Sequence, residues 1–79
     1  MKANPNYKEI EQLLADKEEF RHGYSMSAHR VAGEYVVFSY RTEIARYDFD
    51  SGTWVLNLQK YSVTTSKQQN ILKRVANAN

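Results

Sequence analysis

The sequence predicts a small α+β protein: a two-layer, three-stranded antiparallel meander with one helix before it and one after, both on the same face. Three observations predict it. Apolar residues recur at helical spacing near the two ends of the chain, over Tyr7, Ile10, Leu13 and Leu14 and again over Ile71, Leu72, Val75 and Ala76. Between these stretches the apolar pattern changes to a period of two. The connections between the alternating runs are short, which suits neighbouring antiparallel strands.

Taken in order, Asn4-Pro5 marks a turn, and Asn6 with Glu9 three residues on has the spacing of a capping box. Lys8, Glu11, Gln12, Ala15 and Lys17 clothe the rest of the first helix, which ends between Asp16 and Phe20. His22-Gly23 breaks the chain. Tyr24, Met26 and Ala28 then alternate with Ser25, Ser27 and His29, and Ala32-Gly33 supplies a turn. Val36, Phe38, Tyr40, Thr42 and Ile44 share one parity. No Gly, Pro, Asn or Asp interrupts Tyr35 to Tyr47, so this run reads as one long strand, bent near Arg41. Asp48 to Gly52 forms the next turn. The third strand sets Trp54, Leu56 and Leu58 against Thr53, Val55, Asn57 and Gln59. The closing helix starts near Thr65 or Ser66, whose partners Gln68 and Gln69 again have capping-box spacing.

The large apolar residues of all three strands fall on even positions, and each helix has one apolar stripe to bury. Packing both helices on the even face gives an α-β-β-β-α order. The odd face is then left open, carrying His29, Tyr35, Val37, Ser39, Arg41, Tyr47, Val55, Asn57 and Tyr61. Of these, Tyr35, Arg41, Tyr47, Asn57 and Tyr61 are the candidate partner-binding residues. A stiff aromatic ring with a polar tip, flanked by arginine and asparagine, suits recognition at low entropic cost, and such a platform can stack single-stranded bases. The same residues would also serve as ordinary cross-strand pairs on a solvated face.

Composition narrows the function. Seventy-nine residues make one small domain, and 42% apolar with 25% charged is an ordinary globular balance. With no cysteine there is no disulfide, thiolate metal site or cysteine nucleophile. No apolar run approaches the roughly 20 residues that cross a bilayer, and no apolar region follows the first residues as in a signal peptide. His22 and His29 have no carboxylates at ligand spacing. Asp48-x-Asp50-x-Gly52 has its glycine one place early for a calcium loop and Gln59 where glutamate is needed. No G-x-S-x-G occurs, and the three glycines fall at turns. The expectation is a protein without catalysis, metal or cofactor. Net charge is +2, yet residues 51–79 carry Lys60, Lys67, Lys73 and Arg74 and no acid. These four are candidate contacts for an anion or nucleic acid, or cations placed to suit the end of a helix. Thr64-Thr65-Ser66 with Lys67 is either a plain helix cap or an anion site at a helix start.

Ser39-Tyr40-Arg41-Thr42 with Ile44-Ala45, Leu56-Asn57, and Tyr61-Ser62-x-Thr64-Thr65-Ser66-Lys67-x-x-Asn70 resembles a family of short uncharacterised proteins common in phage and other mobile elements. The likeness covers roughly residues 36–70. Gln68 stands where that pattern often has histidine. The resemblance implies origin: a non-enzymatic binding protein in the cytoplasm of a bacterial host, docking on a host protein or nucleoprotein complex. Its expected form is an inhibitor of a defence system, such as an anti-CRISPR protein. A nucleic-acid module using the basic C-terminal third is the alternative, and self-assembly through an edge strand a third.

Overall fold

The computed structural model describes residues 2–78. The chain runs β1 (Lys2–Ala3), α1 (Tyr7–Ala15), β2 (Phe20–His22), β3 (Met26–Val31), β4 (Glu34–Ser39), β5 (Thr42–Asp48), β6 (Thr53–Leu56) and α2 (Val63–Asn77). It is an α+β fold with both helices on one face, but its meander has five antiparallel strands, β2 to β6, not three. The short β1 adds a parallel edge beside β2, and spatial order follows chain order throughout.

Helix α1 begins as its capping box dictates: the Asn6 side chain accepts from the Glu9 amide at 2.8 Å, and Glu9 accepts from the Asn6 amide. It ends in a Schellman arrangement, with Lys17 left-handed at φ 54° and the Glu18 amide reaching back to the Leu13 carbonyl. That sharp reversal frees Phe20–His22 to form β2, which puts Phe20 in the core.

Two tight turns correct the strand reading. Val31 pairs with Glu34 across Ala32 (φ 50°) and Gly33 (φ 81°), the left-handed pair of a type I′ hairpin. A two-residue loop makes even positions of β3 face odd positions of β4, so the buried face of β4 is Tyr35, Val37 and Ser39, not Val36 and Phe38. The long strand is then divided at Tyr40-Arg41, where Ser39 pairs with Thr42. Tyr40 takes φ 56°, a value that favours glycine and costs a tyrosine on the order of 1 kcal/mol. A bulge opposite Val37/Phe38 lets Ile44 and Ala45, adjacent in sequence, both enter the core. The Asp48–Gly52 turn forms as read, its Asp48 side chain accepting from the Asp50 amide at 2.8 Å.

The register lays out the covered face. One row crosses the sheet as Phe20, Ala28, Val37, Ala45 and Leu56, and a second as Arg30, Tyr35, Tyr47 and Trp54. Ile10 and Leu14 of α1 and Ile71, Leu72 and Val75 of α2 join the sheet residues in one core cluster. Trp54 lies on the expected face, edge-on to Tyr35 at 6.2 Å. Tyr24, by contrast, is 93% exposed rather than continuing the buried parity of Met26 and Ala28.

A polar seam joins α2 to the sheet. The helix is capped by Ser62, which accepts from the Thr65 amide at 3.2 Å, so it starts earlier than either capping box in the sequence suggested. Thr65 is buried and shares a 2.8 Å hydrogen bond with Ser39. Gln68 Nε2 donates to the Ser25 carbonyl at 3.0 Å, and Gln69 Nε2 to the Asn57 carbonyl at 2.6 Å. These three side chains therefore tie the closing helix to β-strand ends.

Candidate functional site

The face opposite the helices is the candidate site, and the register names its residues. One row runs Arg21, Ser27, Phe38 and Glu43; the next His29, Val36, Arg46 and Val55; the last Val31, Glu34, Asp48 and Thr53. Among the described residues no element covers these rows. Val55 is 64% exposed and Val31 is exposed. Val36, between His29 and Arg46, is only 6% exposed, so the face shelters it with its own side chains. The His29 and Phe38 rings lie 6.2 Å apart, tilted.

Charge is organised around this apolar strip. Arg46 forks between two glutamates, Nη2 to Glu43 Oε1 at 2.8 Å and Nη1 to Glu34 Oε1 at 2.9 Å. Hydrogen bonding to Glu43, then the charges of Glu43 and Glu34, hold the guanidinium still more firmly protonated than usual. Exposed pairs of this kind add little stability; what the fork does is fix the direction in which three charged groups stand on an open surface.

The structure separates the five residues predicted to share this face. Tyr35 lies on the covered face, 0% exposed, and its hydroxyl donates to the Glu18 carbonyl at 2.7 Å. Burial pushes that hydroxyl well above the ordinary tyrosine range. Tyr47 is also on the covered face, 5.1 Å from Trp54, with Lys17 Nζ 4.5 Å from its ring centre. Arg41 stands at the β4–β5 turn, exposed. Asn57 and Tyr61 do meet, beyond the end of β6: Asn57 Nδ2 donates to the Tyr61 oxygen at 2.9 Å and to the Glu43 carbonyl at 3.2 Å. His29 and Val55 occupy the open face as expected, whereas Val37 and Ser39 are buried beneath the helices. The sequence reading missed Val36, Phe38 and Arg46; the signal for the first two was the two-residue Ala32-Gly33 loop.

The basic residues are likewise divided. Lys67 and Arg74 line a groove between the helices with Lys8 and Asn70. Arg74 is paired with Glu11 at 2.9 Å, which pulls the Glu11 carboxyl below its usual range, and Lys67 Nζ lies 5.0 Å from the Tyr7 ring centre. Lys60 and Lys73 are exposed elsewhere. His22 donates through Nδ1 to the Pro5 carbonyl at 2.7 Å, away from His29. Among the described residues, no three His, Asp or Glu side chains are grouped as a metal site would need, and no helix is long and apolar enough to cross a membrane.

Against known proteins, one family model matches, over residues 8–77: Family of unknown function (DUF8033). No curated protein matches the chain, and no solved structure does.

Proposed function

The chain belongs to that family of unknown function, and we propose that it is a non-enzymatic binding protein that engages a protein partner through its open sheet face. The observation that carries this reading is the His29–Val36–Arg46–Val55 row with Phe38 beside it. It sets an apolar strip next to a fixed cluster of charge, on a face that no element covers among the described residues. Apolar side chains supply contact area when water is displaced, and oriented charges select register and partner. Val31 and Val55 do not contribute to the helix-covered core, so their exposure is available to a partner. The finer reading is docking on a host protein or nucleoprotein complex as an inhibitor of a defence system. It rests on the resemblance to phage and mobile-element proteins.

The test compares variants rather than relying on capture alone. Val55→Glu and Phe38→Glu each place a carboxylate in the strip, and Lys73→Glu is the control on the far side of the fold. Immobilised wild-type protein is used to capture a partner from bacterial lysate. The expected outcome is that the same partner is retained by Lys73→Glu and lost from both strip variants, with melting temperatures close to wild type. A central contact changes affinity by about 2 kcal/mol or more. Folded strip variants that retain the partner in full would reject the open face as its site.

A further inference from the structure

At one end of the sheet, the β2–β3 and β4–β5 turns enclose a cleft of about 360 Å³ lined by Arg21, Gly23, Tyr24, Ser27, Tyr40 and Arg41. We propose that this cleft binds single-stranded nucleic acid, the tyrosines stacking on bases and the arginines meeting phosphates. Four observations point there. Tyr24 and Tyr40 are 93% and 54% exposed, so neither ring is spent on the core. The two turns are fixed to each other, since the Tyr40 amide donates to the Ser25 carbonyl at 3.0 Å. Among the described residues, the side chains of Arg21 and Arg41 have no hydrogen bond or ion pair, and no carboxylate lines the cleft. The nearest acid in the same cross-strand row, Glu43, is held by Arg46. Finally, a tyrosine occupies the left-handed first position of the β4–β5 turn, at φ 56°, where glycine would be easier. Ala32 takes the same geometry in the β3–β4 turn, so the conformation belongs to the turn; what sets Tyr40 apart is the large exposed ring carried there.

The chemistry selects the ligand. Guanidinium groups without carboxylate partners create positive potential and bind phosphate through charge-assisted hydrogen bonds. Exposed rings need an unstacked base face, which a single strand offers and a duplex does not. The site differs from the helix-borne cations that the sequence brought forward: two of those, Lys67 and Arg74, already have partners within the fold. It adjoins the open face, since Ser27 pairs with Phe38, but Tyr24, Tyr40, Arg21 and Arg41 are not among the residues of the protein-docking reading, so variants at these four test the cleft on its own.

The probe is a fluorescein-labelled oligothymidylate of about 12 nucleotides, within the site size of small single-strand binders, followed by fluorescence anisotropy. Wild-type protein is expected to bind at about 50 mM salt and to weaken toward about 200 mM. Tyr24→Ala should weaken binding about fivefold or more. Tyr40→Gly should weaken it similarly while melting at the wild-type temperature or higher, because glycine accepts the turn geometry. Arg21→Ala and Arg41→Ala should each reduce the salt slope by about 0.7. The proposal is overturned if wild-type protein leaves the probe unbound at the lower salt. It is equally overturned if the tyrosine variants bind normally while Lys67→Glu with Arg74→Glu abolishes binding. A phosphotyrosine peptide that binds where the oligonucleotide does not would make the cleft a phosphoprotein site instead.

Discussion

Tyr35, Val36, Val37 and Phe38 are four consecutive apolar residues of one strand, and the two faces of the sheet treat them differently. Tyr35 and Val37 lie under the helices in the core. Val36 and Phe38 look out from the uncovered face, sheltered by side chains of their own rows. A strand that is apolar on both parities carries no periodic signal for which side is covered. The choice is made next door, by the number of residues in a turn. One face spends its side chains on stability, the other holds similar side chains with far less demand on the fold.

That contrast can be broken most severely from the covered side. Phe20→Ala removes a fully buried ring from the Phe20–Leu56 row and should cost about 3–5 kcal/mol, read from denaturant unfolding. A near-wild-type unfolding midpoint would show that β2 is not part of the core. Tyr35→Phe keeps the ring and deletes the hydroxyl that donates to Glu18, leaving that carbonyl without this partner. The loss should be about 1 kcal/mol at neutral pH. The same hydroxyl makes stability depend on alkaline pH. Its folded pKa lies above the unfolded value, so the neutral, folded form is fully favoured below about pH 10 and loses stability as pH rises beyond it. Unfolding measured across that range should show a decline that is shallower in Tyr35→Phe; equal declines would mean the hydroxyl is not buried. At the small end, Val55→Thr on the open face should change stability by no more than about 0.5 kcal/mol. A larger loss would place Val55 in a packed layer.

Much of the architecture was legible because local chemistry agreed with global packing. Asn6 and Glu9 announced the first helix, the α2 stripe was correctly read, and Trp54 and Leu56 were placed on the covered face. Strand β2 escaped because Phe20-Arg21-His22 is too short for alternation to register, and it follows Lys17-Glu18-Glu19, which reads as helix. The division of the long strand escaped because neither Tyr40 nor Arg41 is a customary turn residue. The parity of β4 was recoverable: a turn of two residues at Ala32-Gly33 forces even positions to face odd ones. Carrying Val36's parity straight through that turn exchanged Tyr35 and Val37 for Val36 and Phe38. The open face was therefore foreseen as a surface, with His29 and Val55 correctly on it and its tyrosines misplaced.

The coincidence of sheet order with chain order has a kinetic consequence. Each strand from β2 to β6 meets a partner that directly precedes or follows it, so the antiparallel ladder can grow by successive hairpins, each closing a short loop. Pairings of this kind favour rapid folding. The late requirement is α2: Ile71, Leu72 and Val75 complete the layer begun by Ile10 and Leu14 nearly a full chain length earlier. During synthesis, the covered face cannot be sealed until α2 has followed the sheet out.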